Sequence, residues 1–331
     1  MQGRELTLDD LLKRVSLKLG LREVIVHVLG DYDVGSYKEH EPLFVGHEEF
    51  NCIVNTSKGK YVIKFFNKGK KLAIAESNIK AMLEFDKADI PVPKMQRANG
   101  GEVLYKMKES IGKGLLFIMD YFDGKTFNEE APTEKDMLNF AQIIAKVNNL
   151  KFDTTPEYDN WLPQYFLEEF EKNKKYLSEE DKKLLRRVEE IYRSIDFNKL
   201  TKGMGHFDLH RDNAKKDAKG NYNIFDLATV DYHYAMFDLG TFIALFCFAE
   251  GQTLEEQKSL YSKVISEYEK VRKLSKYEKK ELFKFIKILY ACNILAARQL
   301  IEGEDDDTEE TLKWYRLGKW GLERFIDLDW N

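Results

Sequence analysis

Cysteine is nearly absent from this 331-residue chain: Cys52, Cys247 and Cys292 stand far apart in apolar surroundings. An odd number at such spacings excludes a disulfide framework and a thiolate zinc site, which need closer, patterned ligands. All three read as reduced core residues. Net charge is equally scarce. A third of the residues are charged, but the signs nearly cancel and leave −5. That argues against a basic face for nucleic acid or a membrane surface, while leaving room for a local basic pocket for phosphate. No long apolar run is present either. The most apolar stretch, T-F-I-A-L-F-C-F-A at 241–249, is too short to span a bilayer and reads as a buried helix. The N-terminus is polar and soon helical, unlike a secretory signal. The expectation is a soluble cytoplasmic protein, monomer or homodimer, with no nucleic-acid or membrane partner.

What is present is ample apolar material. With 43% hydrophobic and 13% aromatic residues, the chain can build two compact bodies, each with its own core. Leu8, Leu11, Leu12, Val15 and Leu19 repeat at helical spacing, with Thr7 as N-cap and Gly20 as stop. Two strands, 50–55 and 60–66, follow around an S-K-G-K turn. A helix over 71–87 ends at I-P-V-P (90–93), because a residue before proline disfavours the helical region. V-L-Y-K-M at 103–107 and L-L-F-I-M-D-Y at 115–121 read as two more strands.

Beyond Asp123-Gly124 the pattern is helical, beginning with a Thr133/Asp136 capping box and the apolar face Met137, Phe140, Ala141, Ile144 and Val147. Further helices are expected at 162–176, 179–195, 238–250, 253–271 and 277–302. The exception is a hairpin at 214–226 with a K-D-A-K-G-N turn. The division falls near 121–125: a β-rich body over 1–121 and a helical one over 122–331.

The densest chemistry lies at 205–213, G-H-F-D-L-H-R-D-N, with Asp226 thirteen residues after Asn213. Asp208, Asn213 and Asp226 form a hard, oxygen-only set suited to Mg²⁺ rather than zinc. Phosphoryl transfer needs such a set to neutralise the phosphates, plus a carboxylate to accept the proton of an attacking hydroxyl. Asp208 suits the second task; Asn213 and Asp226 suit the first. The bland alternative is a stabilised turn. Against it stands Lys64 in Y-V-I-K-F-F, on a strand face shared with Val62 and Phe66. A buried ammonium there needs a carboxylate or phosphate partner, and Glu76 on the next helix is the expected carboxylate.

These positions together resemble the aminoglycoside phosphotransferase and choline kinase superfamily, small-molecule kinases with a protein-kinase-like fold. Its catalytic loop reads approximately H-x-D-x-x-x-x-N, followed by I-D-F/W and then D-L-A/G. Here the matches are His206-Phe207-Asp208, Asn213, Ile224-Phe225-Asp226 and Asp238-Leu239-Gly240. G-H-E-E-F-N at 46–51, the strand lysine and I-P-V-P are similar to its first lobe, so the resemblance runs from about residue 40 to residue 320.

It implies an α+β, bilobal protein-kinase-like fold: a small β-rich nucleotide-binding lobe with one main helix, and a larger helical lobe for catalysis and substrate. It further implies Asp208 as catalytic base, Asn213 and Asp226 as Mg²⁺ ligands, and Lys64 on the α/β-phosphates, braced by Glu76. Residues 119–122, including Met119 and Tyr121, become the hinge that reads adenine through the backbone. ATP is the implied co-substrate, with GTP as an alternative.

His206 reads as architectural, whereas His210 and Arg211 face either substrate or solvent. Asp238 opens an apolar helix, so N-capping accounts for it, and the family reading that it braces the loop is compatible. Three departures stand out. The phosphate loop holds a single glycine, Gly46. Lys215 and Lys216 occupy positions that are usually apolar, one of them flooring the adenine pocket. After Asp226 comes Leu-Ala-Thr without an acidic residue.

The expected activity is phosphorylation of a small metabolite hydroxyl by direct in-line transfer. A protein kinase is disfavoured because only eleven residues lie between Asp226 and Asp238, too few for an activation segment. A non-catalytic nucleotide-binding module is the alternative, against which Lys64, Asp208, Asn213 and Asp226 all stand intact. The acceptor is an amino alcohol, a hydroxy amino acid such as homoserine, or an aminoglycoside or sugar. Trp161, Tyr165, Trp314 and Tyr315 either cage a quaternary ammonium or belong to the core. The acidic run 303–310 either attracts a polyamine or opens a helix.

Overall fold

The structure is a computed structural model describing Arg4, residues 6–44 and residues 49–330. Its contacts divide the chain into two compact units. The N-terminal unit comprises residues 6–44, 49–124 and 216–225; the C-terminal unit holds the remaining described residues, including Arg4. The change therefore falls at 124/125, and residues 216–225 group with the N-terminal unit.

The N-terminal unit is built on an antiparallel sheet of β1 (Tyr37–Leu43), β2 (Phe50–Thr56), β3 (Lys60–Phe65), β4 (Tyr105–Lys106) and β5 (Leu115–Asp120), in the order β1-β2-β3-β5-β4. Alternation along the strands separates two faces. Phe50, Cys52, Val54, Ile63, Phe65, Leu116 and Ile118 pack with Leu11 and with Val24, Ile25, Val28 and Leu29. Lys64 lies on the other face, opposite Asn51 and Phe117, with Val62 and Met119 as face neighbours.

The single helix expected up to Leu19 is not formed. Thr7 does cap α1 (Leu8–Leu12) in a capping box with Asp10, but Ser16–Leu17 then pairs with Gly112–Lys113. Gly20 starts α2 (Leu21–Leu29) instead of stopping a helix. Tertiary strand pairing overrides a helical pattern too short to hold by itself. Helix α3 (Leu72–Lys87) ends before the prolines act. Asp89 takes φ 54°, the Ile90 N–H reaches Phe85 O, and the Asp89 N–H reaches Asp86 O, a Schellman closure.

The C-terminal unit is helical: α4 (Glu134–Val147), α5 (Phe166–Asn173), α6 (Glu179–Arg193), α7 (Ala235–Phe242), α8 (Leu254–Tyr268), α9 (Lys276–Gly303) and α10 (Glu309–Phe325). The Thr133/Asp136 capping box is present, and the five apolar residues named for α4 are all buried. The helix expected over 238–250 starts earlier and turns to π geometry at Ile243–Cys247, all of it buried. Helix α10 follows the acidic run, as one of its two readings has it.

Strand β6 (Lys202–Gly205) pairs antiparallel with Asp231–Tyr234, and together they flank the loop 206–213. Cys52, Cys247 and Cys292 are free and buried. Among the described residues no helix is long and apolar enough to cross a membrane.

Helix α10 lies tightly on α9 because Gly318 presents no side chain there. A Cβ at that position would come 2.7 Å from Tyr290 O and 2.9 Å from Ile294 N, both backbone atoms that cannot swing away. Gly318→Ala is expected to destabilise the protein by about 1–3 kcal/mol despite its better helix propensity, measured by equilibrium chemical unfolding.

Candidate active site

Strand β6 delivers Gly205 and His206 into the loop. The next residue, Phe207, adopts φ 59°, a left-handed conformation unusual for an aromatic residue. Its N–H donates to Asp238 Oδ1 at 2.7 Å. The other carboxylate oxygen, Oδ2, accepts from Asn148 Nδ2 at 2.6 Å, and the same amide nitrogen donates to Met204 O at 2.8 Å. Tyr268 OH donates to Asn148 Oδ1 at 2.7 Å, and Arg272 donates to Asn148 O. Asp238 is fully buried, and burial pushes its carboxyl up to about 6, against the opposing hydrogen bonds from Phe207 and Asn148. N-capping is not its role. Tyr234 occupies the N-cap of α7, and Asp238 sits one turn inside with its side chain directed at the loop. Gly205 leaves room for the Phe207 ring, which a Cβ would meet at 2.5 Å.

The turn at Phe207 is followed by Asp208, half-buried. Asn213 Nδ2 donates to both Asp208 O and Asp208 Oδ2, each at 2.9 Å. The amide end of Asn213 is thus committed to Asp208, and its carboxamide oxygen faces the other way. Asp226 is exposed and also left-handed, at φ 57°. It lies close enough that its charge acts on the His210 ring.

The remaining polar residues of the loop have distinct partners. His206 is buried, and its carbonyl accepts from Thr229 Oγ1 at 2.6 Å, in keeping with an architectural part. Arg211 turns inward, donating from Nε to Phe246 O at 2.9 Å, so it ties the loop to the carbonyls that end the π segment. Asp212 Oδ2 accepts from Asn128 Nδ2 at 2.5 Å and from Lys313 Nζ at 2.9 Å. Burial pushes the Asp212 carboxyl up, but Lys313, His210 and Asn128 outweigh it and hold the group below its ordinary value. Burial holds the His210 ring down at about 4 despite the nearby Asp212 and Asp226 carboxylates.

In the N-terminal unit, Lys64 and Glu76 are not brought together. Lys64 Nζ lies 2.6 Å from Glu49 Oε2, and Lys70 Nζ lies 3.5 Å from Glu49 Oε1; all three side chains are buried. Glu76 is exposed on α3. The carboxylate adjoining the lysine strand thus comes from the sheet's own hairpin, not from the helix. In sequence, Glu49 was visible only as part of G-H-E-E-F-N.

Gly46 lies outside the described residues. Met119 is buried opposite Val62 and bridges Met95. Within the same segment the Asp120 N–H donates to Lys94 O and the Tyr121 N–H to Lys60 O, so those two amides are already used. The Lys60 ammonium sits 3.8 Å from the centre of the Tyr121 ring. Lys215 is half-buried near Glu129, whose carboxyl is held low first by the Thr126 N–H and also by the Lys215 charge.

The four aromatic residues considered for a cation cage do not form one. Trp314 meets Trp161 edge-on at 6.3 Å and His210 edge-on at 5.0 Å. Tyr165 instead packs on Tyr158, and Tyr315 accepts from Arg298 Nη2 at 2.9 Å. Part of the acidic run builds the entry to α10: Thr308 is the N-cap, Asp306 accepts from Thr308 N and Thr311 Oγ1, and Glu309 and Glu310 occupy the first turn.

Residues 41–274 match the phosphotransferase enzyme family (APH). The chain belongs to this family. It is a small-molecule phosphotransferase, a kinase acting on hydroxyl groups, with the α+β, protein-kinase-like fold.

Similar solved structures bear out that fold at low identity. An amicoumacin kinase (hAmiN, in complex with AMP-PNP, Ca²⁺ and Ami) superposes with TM-score 0.72 at 13% identity, covering 94% of this chain and 96% of its own. A microcompartment-associated aminopropanol kinase gives 0.69 at 15%, covering 92% and 97%. The choline kinase LicA from Streptococcus pneumoniae gives 0.65 at 15%, covering 93% and 100%.

Two outcomes are expected. Glu49→Ala removes the buried carboxylate shared by Lys64 and Lys70 and should cost about 1–3 kcal/mol, while Glu76→Ala should change stability by less than about 0.5 kcal/mol; urea unfolding separates them. The second concerns pH. The folded Asp238 value of about 6 exceeds its ordinary 3.8, so its contribution to stability is complete below the lower value and is lost as pH rises through the higher one. The stability of wild type relative to Asp238→Asn should therefore fall by up to about 3 kcal/mol between about pH 4 and about pH 7, read from unfolding curves across that range.

Proposed function

We propose that this kinase transfers the terminal phosphoryl group of Mg·ATP directly to a hydroxyl of a small amine-bearing metabolite, with Asp208 as the base. The observation that carries the reading is the Asp208–Asn213 pair. One residue presents a carboxylate, and the other is locked to it through its amide nitrogen, so the carboxamide oxygen is the end left for a cation. That oxygen and the Asp226 carboxylate are hard donors of the kind Mg²⁺ takes and would hold it together with phosphate oxygens and water. When bound, the metal neutralises the phosphate charge.

The chain's own residues then have separate tasks. Asp208 receives the acceptor proton as the new O–P bond forms and the bond to the departing ADP oxygen breaks. Asp238 and Asn148 hold the loop that carries it. Lys64 offers an ammonium to the α/β-phosphates, with Glu49 rather than Glu76 as its carboxylate neighbour. With the Asp120 and Tyr121 amides in use, backbone recognition of adenine by 119–122 falls to other atoms of that segment.

Nucleotide and divalent-metal use is supported by the amicoumacin kinase complex with AMP-PNP and Ca²⁺ and by a spectinomycin phosphotransferase complex with ADP. An amino alcohol or hydroxy amino acid is favoured as acceptor over a sugar, in line with the aminopropanol and choline kinases among the structural neighbours.

The test is ADP release with Mg·ATP over a panel of amino alcohols, hydroxy amino acids, sugars and aminoglycosides. Turnover with a member of the first two groups is expected. Asp208→Asn should lower it by about 100-fold or more with ATP binding retained; wild-type turnover in that variant refutes the assignment.

A further inference from the structure

We propose that His210 is a positioning residue for Asp208, donating from Nε2 to the carboxylate and fixing the direction in which it faces the acceptor. The inference rests on the reading of Asp208 as the base.

The local fold sets the tautomer of the ring. His210 is the N-cap of the short turn Arg211–Asn213, and its Nδ1 accepts from the Asp212 N–H at 3.3 Å. A nitrogen that accepts carries no proton, so the ring proton is on Nε2. That nitrogen lies 3.8 Å from Asp208 Oδ2. Resting catalytic hydrogen bonds are often long and tighten once substrate is bound. The same oxygen takes Asn213 Nδ2 at 2.9 Å. Once Nε2 closes on that oxygen, two donors from different residues oppose rotation about Cβ–Cγ and set where the second oxygen points.

The ring is held for this task. Its side chain is only 12% exposed, and the edge-on Trp314 closes one side. The charged and titratable groups acting on it are Asp208, Asp212, Asp226, Lys313 and His206. Arg211, its chain neighbour, is turned to the Phe246 carbonyl. His210, by contrast, is directed at Asp208.

Two substitutions separate the ring's two bonds. His210→Asn keeps a short acceptor for the Asp212 N–H and removes the donor to Asp208. His210→Gln extends a carboxamide to the reach of Nε2 and gives up the cap. With Mg·ATP and the best acceptor of the panel, His210→Asn should lower kcat by roughly 10- to 100-fold with wild-type Tm and KM for ATP. His210→Gln should recover most of that loss even if its Tm falls. Unaltered kcat in His210→Asn overturns the inference, as do kcat losses that simply follow Tm in both variants. A wild-type protein that phosphorylates nothing on the panel overturns the reading of the base and this inference together. An active wild type matched by His210→Asn overturns this inference alone.

Discussion

The loop 206–213 depends on one hydrogen bond, from the Phe207 N–H to the Asp238 carboxylate. Left-handed backbone at an aromatic residue is unfavourable by itself and persists only where its surroundings over-determine it. Here a carboxylate from another element supplies the constraint. Asp238 is fully buried, which is costly unless its oxygens are satisfied. Phe207 and Asn148 provide donors, and Tyr268 fixes Asn148 in turn. Helix α7 is pinned where Gly240 meets Phe285 of α9, a contact where an added Cβ would stand 2.8 Å from the phenylalanine Cβ. The position of Asp208 is therefore set by a chain of contacts reaching from the long central helix to the end of a short strand.

Around this bond the loop sorts its polar residues by direction. His206 and Arg211 face the protein, where their backbone or guanidinium contacts hold the loop to its neighbours. Asp212 is bound sideways by Asn128 and Lys313. Asp208 and Asn213 face each other. A stretch of nine residues thus carries its own scaffold, which explains much of its density of hydrogen-bonding side chains. Fixed dipoles and carboxylates in such a frame need little reorganisation during reaction.

Much of this was legible because the relevant signals are local. The capping boxes at Thr7 and Thr133, the β2–β3 turn, the apolar face of α4 and the burial of residues 241–248 follow from residue type and spacing. The loop motif and its two downstream aspartates could be read for the same reason: their order along the chain is itself the signal. Less was legible where a distant segment decided the outcome. Leu8–Leu19 has a helical pattern, but Gly112–Lys113 captures Ser16–Leu17 as a strand. Asp238 stands where an N-cap would be guessed, but only the folded loop reveals which backbone amide it serves.

Sequence alone determined the class of fold, the family and the residue types gathered in the loop 206–213, because periodicity, capping and motif order are properties of the chain. Tertiary structure decided the partners. Glu49 rather than Glu76 meets Lys64, since a strand hairpin carries its carboxylate to the buried ammonium while the α3 side chain stays in solvent. His210 turns to Asp208 while Arg211 turns to Phe246, because the first is the extended N-cap and the second opens the short turn that follows. Pairings of this kind depend on angles and distances between elements, and no spacing along one chain contains them.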